Sequence, residues 1–196
     1  MIETMVLNHP VVQDSNVITI VGTHAGMGIE EIFQKKMEDI SEYGKAFWMY
    51  RSNQANCETV QKFGDFVSDT VRVLFIEGNA QPTQNDTAAT HYSVDREGWL
   101  PLPEGMSVTG HIVGEAYALV LDKIELAAEG QEIDLWNYAV WGDPVKPVKF
   151  SNIAGTLCAI KCDTSDHPDK QISNKKKVIA IGYLSKESHY AVWLKS

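Results

Sequence analysis

The chain has 196 residues, 44% hydrophobic and 22% charged, enough to bury one substantial core and unlike the composition of disordered, collagenous or coiled-coil chains. With 17 basic against 26 acidic residues and a net charge of −9, it repels a phosphate backbone at long range, so nucleic acid is not expected as a partner. No run of 18 apolar residues and no basic leader occur, and three cysteines at irregular spacing suit free thiols; the expected setting is cytoplasmic, without membrane contact.

In chain order, VITIV at 17–21 is a β-branched run that predicts a strand buried on both faces. Ile29, Ile32, Phe33, Met37 and Ile40 recur at helical steps, Glu30 and Glu31 fall in the first turn, and Gly44 follows the last turn, so 29–43 is predicted as a helix. A strand at 45–50, a helix at 57–69 interrupted by Gly64, and a strand at 71–78 follow. Strand, helix, strand, helix, strand is the order that right-handed crossovers turn into a parallel sheet.

Residues 79–105 are polar and rich in turn formers, predicting a long loop with a short strand near Tyr92; a lid over a site and an unordered insertion are both open. Tyr117, Val120, Leu121, Ile124 and Ala128 predict a helix over 114–130, with a strand as the competing reading. The segments 133–141, 148–150, 156–162, 177–184 and 190–194 are β-rich and separated by turns. Lys175, Lys176 and Lys177 read as solvated edge protection at a strand entry. The expectation is thus a single α/β domain over 1–196: a Rossmann-like, three-layer half with a mostly parallel sheet (1–78), a long loop (79–105), and a helix followed by a β-rich half (106–196).

Gly22, Gly26 and Gly28 in GTHAGMG lie between predicted strand and predicted helix, where glycines let backbone approach a pyrophosphate and a helix N-terminus offers free N–H groups. This turn resembles the cofactor turn of short-chain dehydrogenases over residues 17 to 51. The resemblance implies nucleotide binding, with Arg51 placed to meet a 2′-phosphate. The family's tyrosine with a lysine four residues on is missing: Tyr117, Tyr138, Tyr183 and Tyr190 are followed at that distance by Leu121, Gly142, Glu187 and Leu194. Dehydrogenase chemistry is therefore not expected, and Glu30 and Glu31 already answer the helix dipole.

His24 and Cys57 each follow a predicted strand, a placement that a Cys-His hydrolase needs to bring thiol and imidazole together. The layout is similar in outline to caspase-like proteases, although the pairs here are His24-Ala25 and Asn56-Cys57. Cys158 and Cys162 on a strand lie about 13 Å apart, too far for one tetrahedral zinc, and His9, His91, His111 and His189 show no ligand spacing, so no metal is expected. Trp99, in the proline-flanked GWLPLPEG, either covers a pocket or partner surface or anchors its loop.

The function these residues suggest is binding of an anionic, nucleotide-like small molecule by Gly22, Thr23, His24, Gly26, Gly28 and Arg51 under a loop bearing Trp99, with no cofactor specified. The alternatives are a protein-interaction module and a Cys-His hydrolase using His24 and Cys57.

Overall fold

The computed structural model describes residues 4–5, 17–21, 27–51, 57–67, 69–78, 87–106, 108–110, 116–150, 153, 155–169 and 172–196. Along the first half run β1 (Thr4–Met5), β2 (Val17–Val21), α1 (Ile29–Tyr43), β3 (Ala46–Arg51), α2 (Cys57–Val67), β4 (Arg72–Glu77), β5 (Thr87–Ala88), β6 (His91–Ser93), β7 (Leu100–Pro101) and β8 (Thr109–Gly110). They are followed by β9 (Ala116–Ala127), β10 (Glu132–Asp134), a 3₁₀ turn (Leu135–Asn137), β11 (Tyr138–Val140), β12 (Asp143–Pro147), β13 (Thr156–Lys161), β14 (Lys175–Leu184) and β15 (Ala191–Lys195). No described helix is long and apolar enough to cross a membrane.

The chain forms two compact units. The first comprises Met1–Val21, Val71–Gly78 and Ile124–Gly182. Its centre is β2 and β4, which run parallel from Val17↔Val73 to Val21↔Glu77. Val17, Ile18, Val73, Leu74, Phe75 and Ile76 are buried, as two apolar runs covered on both faces must be. The one hydroxyl in this core segment, Thr19 Oγ1, donates to Gly155 O at 2.8 Å. β13 flanks β2 antiparallel, with Cys158 opposite Val17, and β11 and β12 extend the sheet beyond it. The three lysines are not an open edge: Lys175 and Lys177 stand opposite Asp134 and Glu132 of β10, and Lys176 covers the Phe150 ring at 4.2 Å.

Trp136 pins the meander before β14. Its Nε1 donates to Ile172 O at 3.0 Å, its carbonyl accepts from Thr164 Oγ1 at 2.7 Å, and the His167 ring stacks on it at 5.8 Å. Lys149 donates to Asp169 in the same segment, and the backbone N–H of Asp169 donates to His167 Nδ1 at 3.2 Å.

The second unit comprises Gly22–Thr70, Asn79–Lys123 and Tyr183–Ser196, and its strands follow the order β3, β9, β15, β6, β7. α1 packs Phe33 on Trp48 at 5.1 Å and ends as predicted, with Gly44 at φ 80° donating to Ile40 O. α2 lies along β15, and Gln61 Nε2 ties it there by donating to Ala191 O and Val94 O, both at 2.9 Å. On the opposite face of the sheet Phe47, Ala116, Ala118, Val120, Val192 and Leu194 are covered by Ala89, Met106 and Val108.

The expected Rossmann-like half with a mostly parallel, three-layer sheet is overturned: pairing is mostly antiparallel in a mixed arrangement with two described α-helices. β3 does not join β2 and β4. It pairs antiparallel with β9, from Ala46↔Leu121 to Arg51↔Ala116, so α1 is no crossover between parallel strands. The cause is the segment predicted as a helix over 114–130. Every residue from Ala116 to Leu121 is buried, as in a strand with β3 on one side and β15 on the other. A continuous apolar run matches a helical template and a buried strand alike, and here sheet pairing decides it.

Candidate functional site

Of the residues predicted to form a ligand site, Gly22, Thr23, His24 and Gly26 lie outside the described residues. Gly28 is the N-cap of α1 at φ −71°, ψ 162°, with no side-chain cap, and open space lies where a Cβ would stand. Arg51 closes β3, whose sheet neighbour is β9, with Arg51 opposite Ala116. Cys57 is fully buried at the start of α2, and burial above all pushes its thiol up to about 12. Such a thiol has little thiolate near neutrality and favours the packing role. Cys158 is likewise buried, with its thiol pushed up to about 12 by burial. Among the described residues no group of three His, Cys, Asp or Glu side chains is arranged to hold a metal ion.

Trp99 leads to a more complete arrangement. The segment predicted as a long loop folds, over its described residues, into the β6–β7 hairpin, with His91 opposite Pro101 and Tyr92 opposite Leu100. Its turn is built by short side chains: Asp95 Oδ1 accepts from Glu97 N at 2.9 Å and Gly98 N at 3.3 Å, and Ser93 Oγ accepts from Arg96 N at 2.9 Å. Those bonds, the one from Glu97 N foremost, hold the Asp95 carboxyl below its usual range. They also fix Arg96 at φ 66°, a left-handed conformation that non-glycine residues seldom adopt.

That conformation sets the Arg96 guanidinium 4.3 Å from the ring centroid of Trp193. Two residues further along β15, Lys195 Nζ lies 4.3 Å from the ring centroid of Trp99. Side chains at alternate positions share a face. Trp193 and Lys195 therefore project together, joined by His91, which β6 places directly opposite Lys195 and whose Nδ1 is hydrogen bonded to Thr90 Oγ1 at 2.8 Å. Arg96 and Lys195 are exposed, whereas Trp193 is 4% exposed. Two indole quadrupoles thus hold two cations at the surface of a chain whose net charge is −9. Lys45 forms a third such contact, 5.0 Å from the Tyr92 ring, but Tyr92 pairs with Leu194 and so belongs to the opposite face.

Sequence reasoning found Trp99 and missed its partners. The signals present were the S-x-D turn at Ser93–Asp95 and the Trp-x-Lys alternation at the end of the chain; neither indicates which ring meets which cation. The chain matches no protein-family model, no curated protein and no solved structure.

Proposed function

We propose that this chain is a binding domain for an anionic ligand, seated on the face of the second unit that carries Arg96, Lys195, His91 and Trp99. The observation that supports it is the pair of exposed cations held on neighbouring indoles. Asp95 and Glu97 flank Arg96 in the same turn, so the two cations are proposed to act by direct contact with an anion rather than through a net positive field. A guanidinium offers a planar fork and an ammonium a point charge, a combination suited to carboxylate or phosphate. A cytoplasmic setting fits the three cysteines, which are free thiols.

The test is a thermal-shift series with inorganic phosphate, pyrophosphate and nucleotides. A ligand at a hundred times its dissociation constant adds about 2.7 kcal/mol of stability. Lys195→Gln and Arg96→Gln should each weaken the response about tenfold in apparent affinity, while Lys45→Gln, which removes the same charge from the other face, leaves it unchanged. Equal responses in all three variants would refute the assignment.

A second reading keeps the ligand at the start of α1, and the uncapped Gly28 favours it. Gly28→Asp separates the two. The new carboxylate caps the helix, stabilising the fold by a few tenths of a kcal/mol, and repels an anion at that helix end. Ligand binding that survives Gly28→Asp and falls with Lys195→Gln belongs to the indole face; the reverse pattern assigns it to the glycine turn.

A further inference from the structure

Resting on the indole-face reading, we infer that anion binding at this surface is gated by pH through His91, the ligand being held more tightly when that imidazole is charged. In the β15–β6 ladder His91 stands directly opposite Lys195, and in the β6–β7 ladder it stands opposite Pro101. Directly opposed residues project from one face with their Cβ atoms about 5 Å apart. β6 separates β15 from β7, whose backbones are therefore roughly 10 Å apart. The contact of Lys195 Nζ with the Trp99 ring, at 4.3 Å, thus passes over β6 on the side that carries His91. The imidazole shares its patch of sheet with the ammonium and the indole.

The ring is anchored from its own segment. Its Nδ1 is hydrogen bonded to Thr90 Oγ1 at 2.8 Å, and Thr90 is itself fixed, its N–H donating to Lys195 O and its carbonyl accepting from Leu102 N, both at 2.9 Å. In a charged imidazole both nitrogens carry protons, so Nδ1 donates to that hydroxyl and Nε2–H is left as a second donor. A charged His91 opposite Lys195 is a like-charge pair, which an antiparallel ladder bears at a cost. An anion between them removes that cost and accepts from both, so proton and anion each favour the binding of the other. Neither ladder partner of His91 is acidic, so neither can take the place of the anion. The carboxylates of the same hairpin, Asp95 and Glu97, lie in its turn, where Asp95 already accepts from Glu97 N and Gly98 N, and the Arg96 guanidinium lies on Trp193. An imidazole is the side chain whose charge ordinarily changes between about pH 5 and 8, which sets the range of the gate.

The probe is sulfate, whose own charge is constant over this range, added at constant ionic strength and followed by NMR through the indole Nε1–H of Trp99, assigned with Trp99→Phe. Sulfate should bind about fivefold more tightly at about pH 5.5 than at about pH 8, the gain that one added charge in contact brings in water. His91→Gln should bind with one affinity at both pH values. Lys195→Gln should weaken binding at both, and Lys45→Gln should change neither. In the wild-type protein the titration of the His91 ring protons should move to higher pH on saturation with sulfate by the same factor, as linkage requires; this readout does not depend on the folding of any variant. Sulfate binding that is equal at the two pH values, or a gain that persists in His91→Gln, would overturn the gate and leave the anion site standing. If neither sulfate nor pyrophosphate binds at either pH, both fall.

Discussion

Gly64→Ala destabilises this protein by about 3 kcal/mol, although the same change in an exposed helix interior stabilises by about 1 kcal/mol. A Cβ built on Gly64 lies 2.2 Å from Cδ2 and 2.4 Å from Cγ and Cε2 of Tyr190, contacts with the body of the ring rather than the tip of a movable chain. The ring has nowhere to go. Tyr190 is buried, and its backbone is fixed at φ 72° directly after His189 at φ 57°. Its N–H donates to Ser185 O at 2.9 Å while its carbonyl accepts from Val120 N at 3.0 Å. Two successive left-handed residues without glycine are therefore locked into the sheet, and α2 approaches closely enough only because position 64 has no side chain. At roughly 2–4 °C per kcal/mol for a chain of this size, the melting temperature should fall by roughly 6–12 °C. Tyr190→Leu removes the obstructing ring. In that background Gly64→Ala should be neutral or stabilising, a non-additivity that a double-mutant cycle reads directly. The same cost in both backgrounds would show that the ring contact is not its source.

Gly64 illustrates where the sequence was informative and where it was silent. As an interruption in a helix it is visible in CETVQKFGDFV, but its reason is Tyr190, more than a hundred residues away. Local signals behaved well: Ile29–Tyr43 is a helix with both predicted ends, because first-turn carboxylates and a left-handed glycine act within one turn. Pairing partners did not follow from local pattern. β2 and β4 carry the same kind of apolar run as the centre of β9, and nothing within six residues indicates that β3 pairs with β9. The right-handed crossover rule applies only when consecutive strands share a sheet as parallel neighbours, a condition β3 does not meet.

The candidate site follows the same division. Trp99 stood out because a large ring among prolines and glycines needs a contact, and the structure provides Lys195. Arg96 was silent because its position depends on the hydrogen bonds of Ser93 and Asp95 and on a left-handed backbone, neither of which shows as hydrophobic periodicity. The glycine turn is a different case, because Gly22, Thr23, His24 and Gly26 lie outside the described residues. Its meaning was drawn from a β-α-β frame, and with β3 paired to β9 that frame no longer stands behind it.

A rise in stability above pH 8 is expected from Lys36. Its ammonium donates to Phe47 O at 2.6 Å, and burial, opposed by Asp39 and aided by Lys35, lowers its pKa from 10.5 to about 8. The bond has a structural reason. Val120 directs its N–H and carbonyl toward Tyr190 and Ser185, so its partner across the ladder, Phe47, turns its own carbonyl to the outer side of β3. Lys36 caps that edge. Below about pH 8 both folded and unfolded chains hold the proton, and the folded state bears the full desolvation cost. Between about 8 and 10.5 the unfolded chain binds more protons than the folded one, so stability increases with pH across that window, by on the order of 3 kcal/mol when complete. Lys36→Met removes the group, and the phenols and thiols that titrate in the same range are common to both proteins. The difference in unfolding free energy between wild type and variant should therefore grow in favour of wild type from pH 8 to pH 10.5. Urea unfolding at half-unit steps measures it. A difference that stays flat would mean that Lys36 keeps its charge at ordinary cost and that the edge of β3 is held by something else.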